Sequence, residues 1–301
     1  MNAPANPFDL INAPATEPVF SAQAKRFDGA PGFYTHLSNA EYHSGPGISK
    51  SGLDLVAHCP SSLPWSREAP VDQDKLKALD FGTALHTLLL EPHEFDHQFA
   101  IAPEFNLRTN DGKAAKAEFE AEHGHKIIMS ADDHQKLMIM ADSVQAHPTA
   151  RWIFEQQGVN EASIYWNDEG TGELCRVRPD RILTDHHIIV DVKKVDGMNR
   201  FEKHIEEYRY HVQHAMYCEG YKQHFGVEPD FIFLAVSSSV SAGRYAVDVV
   251  DLDPDWVRRG HELYREALET YHQCRVADDW VHIRRLERPG WAVRQDERRM
   301  S

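Results

Sequence analysis

Residues 175–193 read CRVRPDRILTDHHIIVDVK, and the fold turns on how this stretch is read. Glu173 to Leu183 is expected to form one strand region and Ile188 to Val192 another, at a spacing that fits a meander. Asp180 falls where a strand runs into a turn. Asp191 and Lys193 are two apart on a strand, so the period of two puts both on one face and Val192 on the other. Hairpin pairing would bring Asp180 towards that face. Two carboxylates suit a shared hard divalent cation, which prefers oxygen ligands. Such a cation polarises a phosphate and lowers the pKa of a bound water. A neighbouring lysine can orient or deprotonate that water, or stabilise charge developing at phosphorus. The same spacing also fits a buried Asp–Lys ion pair or a charged edge strand, and a short D-x-K arises often by chance.

Working outward, Glu161 to Trp166 alternates as a strand, and Asn167 to Gly170 is a turn. Asn199 followed by Glu202 resembles a capping box. It is expected to open one helix carrying Phe201, Ile205, Tyr208, Val212 and Ala215 on a single stripe as far as His224. Phe231 to Val236 reads as a central apolar strand and Tyr245 to Val250 as another. Asp253-Pro254 then starts a helix to about Tyr271. On the N-terminal side, residues 1–32 read as a loose tail rich in Ala, Pro and Asn. Gly45-Pro46-Gly47 signals a turn, and Ser49 caps a short helix with Leu53 and Val56. Residues 77–90 place Leu85, Leu88, Leu89 and Phe81 at helical spacing, ended by Glu91-Pro92. Residues 113–157 look helical in patches, with a break at His147-Pro148. The order implies one mixed α/β domain with a helical N-terminal part.

His86 lies on the helix after Gly82, which is one turn earlier on the same side and leaves room for a close approach. A histidine among leucines also fits a hydrogen-bonded core position. Gln213 and Tyr217 are i and i+4, so they face one way. Arg176, Arg178 and Arg181 suit phosphate contacts, or equally a structural ion-pair network. Glu161 opens a strand and is within reach of the site, though an exposed strand end would read the same.

Bulk composition constrains less. Apolar residues make up 42% of the 301, enough for a sizeable core. Lys and Arg number 32 against 47 Asp and Glu, a formal net charge of −15. That balance counts against a nucleic-acid surface, although a basic channel can coexist with an acidic exterior. Lys194, Lys50 and Arg67 join the three arginines as basic supply for such a channel. The four cysteines, Cys59, Cys175, Cys218 and Cys274, form no CxxC pair. This argues against a cysteine-built metal site and fits a reducing, cytoplasmic setting. No apolar run approaches a membrane span, and the first residues lack a secretion-signal pattern.

Four of these segments together carry a resemblance. They are Gly82-Thr83-Ala84-Leu85-His86 with Leu90-Glu91-Pro92 after it, Cys175 to Arg181, Ile189 to Lys193, and Tyr210 to Tyr217. Ile48-Ser49-Lys50-Ser51 adds a fifth. In this order and spacing the chain resembles the RecE-type exonucleases of the PD-(D/E)xK superfamily, which includes the RecB nuclease domain. The resemblance covers about residues 34–285. It implies a restriction-endonuclease-like core, with a mixed central sheet flanked by helices, in a nuclease domain over residues 33–290. It implies a 5′-to-3′ exonuclease on double-stranded DNA that leaves 3′ single-stranded tails for recombination. By position, His86, Asp180, Asp191 and Lys193 correspond to the catalytic set. His86, Asp180, Asp191 and the Val192 carbonyl correspond to the ligands of Mg²⁺, with Mn²⁺ as a substitute. Gln213 and Tyr217 match the family's supporting Q-x-x-x-Y motif. DNA ends, a single-strand annealing protein of RecT type and a ring-shaped homo-oligomer are the partners the resemblance implies. Lys194 departs from the pattern, standing where the family often has Thr. It is expected on the opposite strand face, contacting DNA only if the strand bends or ends there. A single-strand or flap-cutting nuclease of the same core, or a DNA-binding scaffold without catalysis, remain the alternatives.

Overall fold

The computed structural model describes residues 27–66, 69, 73–281 and 288–300. Residues 1–26 of the expected tail, with Lys25-Arg26, and also Arg67, lie outside the described residues. The strands are β1 (Gly32–Tyr34), β2 (Phe99–Ala102), β3 (Ile127–Ser130), β4 (Gly158–Asn160), β5 (Ser163–Asn167), β6 (Leu174–Val177), β7 (Arg181–Leu183), β8 (Ile188–Val195), β9 (Asp230–Ser241) and β10 (Arg244–Val250). The N-terminal helices are α1 (Asn39–Ser44), α2 (Lys50–His58), α3 (Ser62–Ser66), α4 (Gln73–Leu90) and α5 (Phe95–Gln98). They are followed by α6 (Asn110–His123), α7 (Ala131–Ala146) and α8 (Pro148–Glu155). After the strands come α9 (Phe201–Glu207), α10 (Tyr210–Phe225), α11 (Pro254–Ala277) and α12 (Gly290–Met300).

Five strands form the central sheet in the order β10-β9-β8-β7-β4. The β8–β9 pair is parallel and the others antiparallel, so the sheet is mixed. β8 is buried on both faces, which is why its sequence is a run of Ile and Val rather than a clean alternation. Ile188, Val190 and Val192 pack with Leu85 of α4 and Leu137, Met140 and Val144 of α7. Ile189 and Val195 pack on the other side with Ile205 of α9 and Val212 and Met216 of α10. Helices therefore cover both faces, as the family resemblance implies. A smaller sheet, β1-β5-β6, packs against the α10 side of the core.

Four local expectations change. The region 173–183 is two strands, because β6 pairs with β5 in the small sheet and β7 pairs with β8 in the large one. The helix expected from Asn199 to His224 is also two. Arg209 takes the left-handed conformation (φ 55°, ψ 45°) between α9 and α10, and Tyr208 leaves the buried stripe. No capping box forms at Asn199; a 3₁₀ turn over Met198–Arg200 leads into α9 without a side-chain cap. Between α6 and α7, β3 pairs in parallel with β2, a two-stranded element not visible in the periodicity. Elsewhere the caps fall as read. Ser49 Oγ accepts from Gly52 N, and Asp253 Oδ1 accepts from Asp255 N and Trp256 N ahead of Pro254. At the expected break, His147 proves to cap α8, its Nδ1 accepting from Ala150 N. α11 runs on six residues past Tyr271, to Ala277.

Candidate active site

The chain crosses between the two sheets twice, and both crossings meet at one seam. β4 belongs to the large sheet and β5 to the small one, with Glu161 between them at φ 50°. β6 belongs to the small sheet and β7 to the large one, with Arg178-Pro179-Asp180 between them. Pro179 has no N–H to offer a ladder, so pairing stops there. Glu161 N donates to the Asp180 carbonyl at 3.0 Å and ties the crossings together. Two carboxylates thus stand side by side where the sheets part.

His86 reaches the seam from α4. Its Nδ1 lies 3.5 Å from Asp180 Oδ2, and one ligand atom each from His86, Glu161 and Asp180 lie within 4.8 Å of one another. Asp180 Oδ2 accepts from Val192 N at 2.6 Å, which fixes β8 against the seam. On β8, Asp191 pairs with the Lys193 ammonium through Oδ1 and accepts from Gln213 Nε2 of α10 through Oδ2. The Lys193 ammonium also sits 4.7 Å above the Tyr210 ring. A cleft of about 490 Å³ opens over the seam, and His86, Glu161, Arg178, Asp180, Lys193 and Tyr217 are among the residues lining it.

The electrostatics show a site with too much buried negative charge. Burial, and then Asp191, push the Asp180 carboxyl well above the usual aspartate range. Burial, and then Asp180, raise Glu161 to about 7 against the pull of Arg178, whose Nε donates to Glu161 Oε2 at 2.8 Å. Burial lowers His86, so its ring is held neutral and able to act as a ligand, while Asp191 and a hydrogen bond to the Val192 carbonyl work the other way. Burial would lower Lys193, but Asp191 and Asp180 outweigh it and the net direction is up. A neutral imidazole and crowded carboxylates around open space are the donor set of a hard divalent cation. His86, Glu161 and Asp180 fit that role by position, and a cation there would offset the repulsion that raises Asp180 and Glu161.

With this geometry in hand, comparison with known proteins is informative. The family model of the PDDEXK-like domain of unknown function (DUF3799) matches residues 49–282. The chain belongs to this family. It is also similar in fold to the crystal structure of a putative exonuclease from Eubacterium rectale. The TM-score is 0.54 at 14% identity, over 84% of this chain and 96% of the other. No curated protein matches. The mixed sheet flanked by helices is the core expected of a PDDEXK-like chain, and membership in the family accounts for the P-D and D-x-K pair at its centre.

The DUF3799 chain brings most of the expected residues together. His86, Asp180, Lys193 and Tyr217 line the cleft, and Asp191, which pairs with Lys193, accepts a hydrogen bond from Gln213. Glu161, read as either within reach of the site or an exposed strand end, stands with His86 and Asp180. Its signal was its place at the start of an expected strand; it lies one residue after β4 and two before β5, a position that became informative only once the sheets were seen to part there. The arginines need correction. Arg176 is buried and donates to the carbonyls of Tyr42, His43, Gly45 and Pro46. Arg181 is buried and donates to Ile153 O, Asn160 Oδ1 and Gln156 O. Neither has a face to offer DNA, because both guanidinium groups are buried and most of their donors are taken by backbone carbonyls and the Asn160 side chain. Arg178 lines the cleft but is held by Glu161 and Leu37 O. Lys194 lines the cleft beside Lys193, with its ammonium 6.0 Å from the Phe81 ring of α4. Both lysines therefore reach the opening from opposite strand faces near the end of β8.

Proposed function

We propose that this chain is a Mg²⁺-dependent exonuclease that degrades linear duplex DNA from 5′ ends and leaves 3′ single-stranded tails. The observation that carries the reading is the convergence of His86, Glu161 and Asp180 within 4.8 Å, beside Asp191 and Lys193, in an open cleft. The family supports hydrolysis of a nucleic-acid phosphodiester by a PDDEXK-like core, and the likeness to the putative exonuclease of Eubacterium rectale supports attack at ends.

A bound divalent cation, Mg²⁺ or Mn²⁺, would supply Lewis acidity and a more acidic water at the cleft. The rest is the work of the chain's own residues. His86, Glu161 and Asp180 would hold the cation, with Asp191 and the Val192 carbonyl beside them. Gln213 fixes the Asp191 carboxylate through its amide, so that carboxylate keeps one orientation. Lys193, kept charged by its neighbours, is suited to orient the attacking water and to donate to the phosphoryl oxygen on which charge develops. Burial raises the Tyr217 phenol well above its ordinary value, so it stays a neutral donor at the wall of the cleft. Lys194 is free to meet the DNA backbone. A ring-shaped homo-oligomer would hold the enzyme on its substrate, and a RecT-type annealing protein would receive the 3′ tails. The four cysteines are all unpaired thiols, which supports a cytoplasmic setting. Among the described residues no helix is long and apolar enough to cross a membrane.

The test is nucleotide release from matched linear duplex, closed circular duplex and single-stranded DNA in Mg²⁺, with 5′ or 3′ labels on the linear form. Release confined to the linear duplex, with the 5′ label lost first, is expected. Equal release from circular and linear duplex would make the protein an endonuclease or an open-cleft enzyme. Preference for the single strand would favour the single-strand or flap-cutting alternative.

A further inference from the structure

Lys193 has a second open side. A cavity of about 670 Å³, separate from the cleft over the seam, has Lys50, Asp54, Lys193, Tyr208, Arg209 and Tyr210 among its lining residues. It is shaped by the break between α9 and α10. Arg209 holds the left-handed backbone there at φ 55°, which costs a residue with a side chain of the order of 1 kcal/mol. The break turns Tyr208 and Tyr210 towards each other, with ring centroids 5.7 Å apart and planes 34° from parallel. Tyr210 lies under the Lys193 ammonium, and the His204 ring backs Tyr208 at 5.3 Å. Tyr208 is nevertheless 50% exposed. Its backbone is pinned by Lys50 Nζ, which donates to Tyr208 O at 2.6 Å. Lys50 and Arg209 share one carboxylate, Asp54, at 2.7 and 3.4 Å, so two cations face one anion before Glu207 at the rim is counted.

A half-exposed aromatic ring, fixed in place next to the ammonium expected to serve the reaction, has a use that core packing does not supply. We infer that this cavity is a nucleotide subsite. It takes the unpaired nucleotide next to the phosphate being cleaved, with the base stacked on Tyr208 and the flanking phosphate directed to Lys50 and Arg209. The inference rests on the nuclease reading and extends it to a substrate feature. Every base has a π-face, so the subsite tolerates any base but requires one. A base within a duplex is already stacked on its neighbours, so the strand end must be frayed to enter.

The experiment uses the full chain and a set of DNA duplexes with frayed 5′ ends, each carrying 2-aminopurine at a different position near the end. Binding is followed in Ca²⁺, which binds oxygen ligands in looser geometry and positions water poorly. Cleavage of the same DNA in Mg²⁺ is run in parallel. One position is expected to be quenched by the wild type. Tyr208→Ala should lose that quenching and bind roughly tenfold more weakly, and Tyr208→Trp should restore both. An abasic site at the quenched position should weaken the wild type yet leave Tyr208→Ala unchanged, an outcome that a general folding defect would not produce. If the wild type cleaves DNA while Tyr208→Ala binds and quenches as it does, the subsite is wrong and the nuclease reading stands. If the wild type neither binds nor cleaves DNA, both fall together.

Discussion

Asp180 faces Glu161 and Asp191 with a single backbone N–H on its Oδ2. Its folded pKa is raised, so the charged form is the one the fold disfavours. Stability therefore falls as pH rises from the ordinary value of 3.8 towards the raised one, and at neutral pH the charge is a cost. Asp180→Asn keeps an oxygen for Val192 N and removes that charge. Without metal the variant should melt higher than the wild type by roughly 2–4 °C, the shift that about 1 kcal/mol produces in a domain of this size. Mg²⁺ at about 100 times its Kd should stabilise the wild type by ~2.7 kcal/mol and leave Asp180→Asn unmoved. Thermal melts in EDTA and in Mg²⁺ check both. A second expectation separates the two lysines. Lys193→Ala should slow the chemical step by roughly 10²-fold or more with little change in DNA affinity, whereas Lys194→Ala should act mainly on binding. Single-turnover assays with the opposite pattern would refute the strand-face assignment. At this scale the sequence was informative where spacing fixes direction, as for Asp191 and Lys193. It was silent where a side chain's partner is remote. Nothing near Arg176 in sequence reveals that it spends its guanidinium on carbonyls more than 130 residues away.

That guanidinium matters most to the elements it joins. Arg176 on β6 gathers the end of α1 and the Gly45-Pro46-Gly47 turn, and its planar donors also lie 4.9 Å from the Tyr42 ring. Arg176→Gln should cost about 3 kcal/mol by leaving several carbonyls without donors. Urea unfolding measures it, and an unchanged midpoint would show that the clamp contributes nothing. The β5–β6 turn is held in a similar way. Asp168 is opposed by burial, but Arg265 of α11 and the Thr171 hydroxyl and N–H prevail and lower its pKa. Stability from this contact is complete above the ordinary pKa of 3.8 and drains away as pH falls through the lowered value. Asp168→Asn should therefore destabilise the protein at pH 7 and converge on the wild type in strong acid. Unfolding midpoints at the two pH values test that convergence. Elements with local chemistry were legible, such as the caps at Ser49 and Asp253 and the break at His147-Pro148. The split of 173–183 between two sheets was not, because an apolar strand carries no mark of which neighbour it pairs with. Nor was the break at Arg209, where tertiary packing of Tyr210 against Phe201 and Phe233 overrides a continuous helical pattern.

Across the whole molecule, a net charge of −15 has to coexist with DNA binding. With Arg176 and Arg181 committed internally, the cations that line the cleft are Arg178, Lys193 and Lys194. Each phosphate contact contributes a slope of about −0.9 in log K against log salt on duplex DNA. With Lys50 and Arg209 of the neighbouring cavity added, five contacts or fewer should give a slope no steeper than roughly −4.5, and retention on DNA would then depend on enclosure. A much steeper slope, measured by titration in Ca²⁺ at several salt concentrations, would point to a basic surface elsewhere on the chain. The mixed α/β class followed from the order of elements, and the helical cover on both faces from the family resemblance. How two sheets part to build a site at their seam did not, since it is a property of pairing over long separations. The most direct test of that site is the release of acid-soluble nucleotide from linear duplex DNA by the wild type and by Asp191→Ala, each in Mg²⁺ and in EDTA. Release by the wild type in Mg²⁺ alone, and by Asp191→Ala in neither, is the expected result. Undiminished release by Asp191→Ala, or by the wild type in EDTA, would contradict it.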